Sequence, residues 1–324
     1  MPVPKAVMKN ALPAMAAMLM VLVYNLADTF FIGQTHNALL VAAVSLATPV
    51  YLIFMSIGTL FGIGGTSVIS RALGEGKKEK ARKSCAFCFW GCVFVGILLL
   101  AFILIFIDPI LNLIAASVLA IGVPAALGDA LMSVSHIISN SQMAHYGDMA
   151  VAGMGVAMKV ITITGMICMG LGQGVQPILG YCVGAKTWKR FKEVFKFTII
   201  FALILGTVLA AICYVFINQI VSAFLTDQTA FSYAVQFARI LLSTSFLFGV
   251  FYVLVNALQA MGAATPALLI SMSRQGIIFI PALFILQAVV GMTGLVWAQP
   301  VADVLSILIA AILFRKTMKK MQIM

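Results

Sequence analysis

GIGGTSVISRALGEGKKEKARK, residues 62–83, and GLGQGVQPILGYCVGAKTWKRFKE, residues 170–193, repeat one pattern: a glycine-rich apolar run that ends in a cluster of cations. At an offset of 110, Gly62 falls on Gly172, Gly64 on Gly174, Gly74 on Gly184 and Lys80 on Arg190. The correspondence continues upstream, where Val41, Ala42 and Ala47 fall on Val151, Ala152 and Ala157. Repetition on this scale is the mark of a membrane protein assembled from two related halves around a shared interface.

The remainder of the chain agrees with a membrane class. Its 324 residues are 63% hydrophobic and 9% charged, with a mean hydropathy of +1.14. Soluble domains carry roughly 25% charged residues because their surface faces water. Apolar runs near the ~20 residues needed to cross a bilayer recur along the whole length. They place nine spans at 11–33, 40–66, 84–107, 118–143, 149–176, 197–218, 234–260, 266–290 and 293–314. The fold class is therefore all-α, a polytopic helical membrane protein. A β-barrel would alternate over short segments instead.

The net charge of +11 is not a nucleic-acid signal, because 17 of the 20 Lys and Arg sit beside span ends. Lys5 and Lys9 precede the first span. Arg71, Lys77, Lys78, Lys80, Arg82 and Lys83 make the first basic loop, and Lys186, Lys189, Arg190, Lys192 and Lys196 the second. Arg315, Lys316, Lys319 and Lys320 make the tail. Cations so placed mark the cytoplasmic side. No nucleic-acid partner is expected, and with no cleavable leader evident the first span is its own targeting element. Two spans separate the N-terminus from the first basic loop, and four separate the second loop from the tail. Three lie between the loops (84–107, 118–143, 149–176), which would put the loops on opposite sides against the charge rule. Either one segment does not span, the chain inserts in mixed orientations, or an odd number of spans is missing. The repeat favours the last, with the seam near IAASVLAIG, 114–122.

YNLADTFFIGQ (24–34), the first basic loop, IGVPAAL (121–127), GLGQGVQPILGYCVGAK (170–186), SRQGIIFIPALFIL (273–286) and WAQPVADVL (297–305) together resemble the multidrug and toxic compound extrusion family, MATE, and within it a MepA-like branch. The resemblance implies two six-span lobes around a central cavity. On that plan residues 1–117 are a partial N-lobe of three spans and 118–324 a complete C-lobe of six, the fourth to sixth spans having no counterpart. It further implies a multi-pass protein of the bacterial cytoplasmic membrane, monomeric, moving small-molecule drugs or organic cations, with no cofactor beyond a coupling ion, H⁺ or Na⁺.

Ionisable groups inside spans are costly and point to function by default. Asp28, Asn25 and Tyr24 share a helical face, with Thr29 four residues beyond Asn25. Burial would bring such a carboxylate towards a range where it loads and releases a proton, while the neighbouring oxygens would suit Na⁺. By the resemblance, this first-span Asp is tied to ion coupling. The bland alternative is a hydrogen-bonded Asp that fixes helix packing. Asp129, Ser133, His136 and Asn140 make one polar stripe at i, i+4, i+7 and i+11. Lys159 reaches a similar depth, ~15 Å into the next span, so Asp129 and Lys159 either pair or both border the substrate cavity. His136 is a pH sensor or a packing residue. Arg274 and Asp303 lie at matching depth and are expected to form a structural pair locking the last two helices. Arg239 is expected at the interface. Cys85, Cys88 and Cys92 form a stripe with C-x-x-C spacing, read as small packing residues rather than a metal site. Gly58/Gly62 and Gly170/Gly174 have the G-x-x-x-G spacing of close helix contacts.

These features point to a non-enzymatic secondary exporter. The absence of G-x-x-x-x-G-K-[ST] leaves ATP drive unsupported. The alternatives are a truncated chain without transport activity and a flippase for a lipid-linked precursor. An intramembrane aspartyl protease is disfavoured because Asp129 sits in ALGD rather than a G-x-G-D context.

Overall fold

The computed structural model describes residues 1–34, 58–105, 135, 138–225 and 227–323, less the side chains of 25–26, 28–34, 99–105, 264 and 322–323. In chain order the helices are α1 (Val3–Gln34), α2 (58–74), α3 (Lys78–Ile105), α4 (138–144), α5 (Asp148–Gly184), α6 (Trp188–Val215) and α7 (Ile217–Ser222). They continue with α8 (Gln228–Ser245), α9 (Phe248–Ala260), α10 (Ala264–Met272), a π-helical turn (Ser273–Ile277), α11 (Phe279–Val290) and α12 (Met292–Ile323). There is no strand among the described residues. Six of these helices are long and apolar enough to cross a membrane, and a seventh span results if the bent pair α8–α9 counts as one. The expected spans 40–66, 84–107 and 118–143 fall partly outside the described residues, and the seam at 114–122 lies wholly outside them.

The repeat is reproduced down to single hydrogen bonds. α2 and α5 end at positions 74 and 184, and α3 and α6 begin at 78 and 188, the same offset of 110. In the first turn Glu75, Gly76 and Lys77 donate their amides to the carbonyls of Arg71, Leu73 and Ala72; in the second Ala185, Lys186 and Thr187 donate to Tyr181, Val183 and Cys182. This is a helix C-terminus closed by paired i−3 and i−5 bonds around one left-handed residue. That residue is Gly76 (φ 76°) in the first copy and Lys186 (φ 54°) in the second.

α5 is the organising helix. Its 37 residues span ~54 Å at 1.5 Å per residue, well beyond the ~30 Å hydrocarbon core, and Pro177 is accommodated within it. Its small residues let neighbours approach backbone to backbone. Cβ atoms on Gly170 and Gly174 would lie 2.7 Å from Met15 Cα and 2.5 Å from Ala11 Cα. The register, 15 against 170 and 11 against 174, makes α1 antiparallel to α5. The expected close contact at Gly170/Gly174 is therefore present, whereas Gly58 and Gly62 meet no described atom within 4 Å.

Two apolar clusters stack along α5. One, nearer the start of α5, joins Met143, Met154, Phe237, Leu241, Leu283 and Leu295; the other, nearer its end, joins Ala11, Leu171, Val175, Phe191, Leu258 and Ile270. The expected single span 234–260 is broken: α8 and α9 meet at 47°. Asp227 caps α8 by accepting from the amides of Thr229 and Ala230, each at 2.9 Å. The span 266–290 carries the π turn at its middle, closed by the bond from Ile278 N to Ser273 O at 3.0 Å.

Candidate transport pathway and its closed face

The helix ends that carry the two basic loops lie side by side. A Cβ on Gly74 would strike Tyr181 O and lie 2.7 Å from Ala185 N, and one on Gly184 would strike Arg71 O and lie 2.9 Å from Arg71 Cα. Arg71 and Tyr181 are themselves 110 apart, so the contact is reciprocal: equivalent residues of the two copies touch across a local twofold axis. Ser70 and Gly180, also equivalent, meet on that axis, where the Ser70 hydroxyl fills the place of a Gly180 Cβ. No larger residue fits at these crossings without separating α2 from α5. The loop after α9 joins them. Arg71 Nη1 packs against Gly262, whose φ of 77° suits glycine, and Ser67 Oγ donates to Gln259 O at 2.6 Å. Gln176 Nε2 reaches Ile63 O at 3.4 Å. α2, α5 and α9 thus close the basic face. Two buried amide oxygens on α9, Asn256 Oδ1 and Gln259 Oε1, have no partner among the described residues.

The expected ion-coupling group lies on α1, beyond the stretch that packs on α5. Tyr24 is exposed. Asn25, Asp28 and Thr29 are in the helix, but their side chains lie outside the described residues, and so does any Na⁺ coordination at Asp28. Of the polar stripe, Asp129, Ser133 and His136 lie outside the described residues, and Asn140 is exposed. Lys159 is half-buried on α5 with Nζ 5.2 Å from the Phe224 ring centroid; its pairing with Asp129 lies outside what is described. Arg239 is exposed, 5.7 Å from the Tyr214 ring. Cavities of about 640 and 540 Å³ open at the second basic loop, beside Trp188 and beside Asn10, and neither includes these membrane-embedded polar groups. Among the described residues no cluster of His, Cys, Asp or Glu could hold a metal, and the cysteines are unpaired.

Arg274 and Asp303 form the expected pair. Arg274 Nε donates to Asp303 Oδ1 at 2.7 Å, with both side chains buried. Gln299 Nε2 adds a bond to the same oxygen at 3.0 Å, and Thr244 Oγ1 lies 3.4 Å from Oδ2. The sequence reading missed the surroundings. The guanidinium carbon sits 4.7 Å from the ring centroids of both Phe248 and Phe251 and 5.9 Å from that of Tyr252. The run FGVFY carried a signal for this, since its three rings recur at i, i+3 and i+4, but an apolar span gave no reason to place a cation among them.

The MatE family matches this chain twice, over residues 13–120 and 124–285. The chain belongs to the MatE family. It is 25% identical to the multidrug export protein MepA of Staphylococcus aureus (strain NCTC 8325 / PS 47), across 96% of this chain and 93% of that protein. MepA of Staphylococcus haemolyticus (strain JCSC1435) is 23% identical across 92% and 90%. Among solved structures, the Vibrio cholerae MATE transporter VcmN in its bent form superposes with a TM-score of 0.86 at 18% identity, covering 99% of this chain and 98% of that one. The fold is thus that of a MATE transporter, a multi-pass membrane protein. The S. aureus alignment runs over 423 positions, 99 more than the 324 residues of this MatE chain.

Proposed function

We infer that this chain is a multidrug exporter that carries organic cations or similar amphipathic compounds across the bacterial cytoplasmic membrane in exchange for H⁺ or Na⁺. The observation that carries this reading is the twofold contact between equivalent residues of the two copies, closing the basic face in a MatE protein related to MepA. A transporter alternates by opening one end of such an interface while closing the other. The seam suits that motion: it is held by glycine contacts, a serine hydrogen bond and packing rather than by a large apolar core, and opening it to water would satisfy Asn256 Oδ1 and Gln259 Oε1. Asp28 is the coupling carboxylate in this reading, with Asn25, Thr29 and Tyr24 as neighbouring oxygen donors, and the protein works as a monomer. Asp28→Asn should abolish export of ethidium from loaded cells while leaving the amount of protein in the membrane unchanged; full export by that variant would sink the assignment.

A second reading has its own support, that of a MatE chain short of three N-lobe spans and without transport activity. The 99 surplus alignment positions, and a first family match of shorter extent than the second, favour it. The intact mass of the protein purified from native membranes decides: a value well above 34.6 kDa removes this reading, and 34.6 kDa sustains it.

A further inference from the structure

The surroundings of Arg274 do more than neutralise a charge. Three aromatic rings and a carboxylate arranged about a buried cation are the chemistry by which proteins recognise organic cations, which are drawn to ring faces when stripped of water. Here the cation is the protein's own. It is delivered by the π turn Ser273–Ile277, an irregularity that recurs at functional sites, and the turn is held by the Ser135 hydroxyl, which donates to Gln275 O. Asp303 Oδ2 has no described donor nearer than Thr244 at 3.4 Å, so one edge of the carboxylate is weakly held. A permanent lock would use both oxygens, as Arg–carboxylate pairs do when they pair side by side.

We propose that the cage of Phe248, Phe251 and Tyr252, closed by Asp303, is a binding site for organic cations, which Arg274 occupies at rest and an incoming cation displaces. The site rests on the export reading for its ligand class, and it lies wholly within the C-terminal half, apart from Asp28.

The test is ethidium binding to the purified full chain in detergent, read by fluorescence anisotropy. Arg274→Ala vacates the cage and should bind ethidium about tenfold or more tighter than the parent. Arg274→Ala/Asp303→Asn and Arg274→Ala/Phe251→Leu should lose that gain. Equal or weaker binding by Arg274→Ala overturns the proposal. Where that variant fails to accumulate, Phe248→Leu/Phe251→Leu, which keeps Arg274 and the apolar character of both positions, decides: affinity should fall about tenfold, and unchanged affinity overturns the site. Ethidium export by the parent without a gain in Arg274→Ala leaves the exporter standing and removes the cage. A gain that needs Asp303, in a parent that exports nothing, does the reverse.

Discussion

Replacing Gly184 with alanine should open the basic face. The new methyl would lie 2.9 Å from Arg71 Cα and nearer still to its carbonyl oxygen, whereas carbon atoms rest about 3.5–4.0 Å apart. α2 and α5 must therefore part locally by roughly 1 Å. Overpacking of this kind costs about 1–3 kcal/mol, and the cost falls on the closed face alone, because the clash is with the other copy of the repeat. The ratio of open to closed face should then rise about 5- to 150-fold. A cysteine at Ser67, buried on α2 against Gln259 O and away from the glycine crossings, reports the change in a background with the six native cysteines replaced. Its labelling by a membrane-impermeant maleimide in inside-out vesicles should accelerate at least tenfold in Gly184→Ala. Gly74→Ala should act alike, since it strikes Tyr181 O as Gly184 strikes Arg71 O. The double variant should gain less than the product of the two, because the first displacement already makes room for the second. A folded, inserted Gly184→Ala that labels no faster than its parent would refute the reasoning.

Asp303→Asn leaves Arg274 buried without its counter-ion and should cost ~3–5 kcal/mol, read as thermal unfolding in detergent; a loss below about 1 kcal/mol would mean that the rings alone hold the guanidinium. Lys186→Gly should raise stability by about 1 kcal/mol, because Lys186 holds the left-handed position that Gly76 fills in the first copy; an unchanged or lower melting temperature would count against that account. Asp227→Ala removes the cap on Thr229 N and Ala230 N and should cost ~1 kcal/mol on the same measurement, with no effect expected from Asp227→Ser, which can cap in its place.

Spans and basic loops were legible because hydrophobic length and cation placement are local properties of the sequence. The Arg274–Asp303 pair was legible too, since two opposite charges at equal depth in adjacent antiparallel helices have few other partners in an apolar medium. The aromatic cage was not, because Phe248, Phe251 and Tyr252 come from another helix and an apolar run does not reveal which of its faces meets a charge. The break between α8 and α9 was hidden for a related reason: Phe246 and Leu247 carry no proline or glycine, and the bend comes from packing, with Gly206 backed against Phe246. The repeat was found through its glycines, while the equivalence of Gly76 and Lys186 shows only in backbone conformation. For Asp28, Asp129, Ser133 and His136, sequence remains the ground for their roles.

Among the described residues, the two copies use their shared glycines differently. Gly172 and Gly174 are spent on close approaches, to Tyr252 O and the Asn256 amide in one case and to Ala11 in the other. Their equivalents Gly62 and Gly64 meet nothing within 4 Å among the described residues. α3 likewise buries 6% of its apolar window, against 22% for its equivalent α6. A glycine inside a helix costs about 0.5–1 kcal/mol relative to alanine, a cost offset only where another backbone comes close. In the second copy α9 and α1 supply that backbone. In the first copy the described offset is at Gly74, against Tyr181 O and the backbone of Ala185 and Gly184.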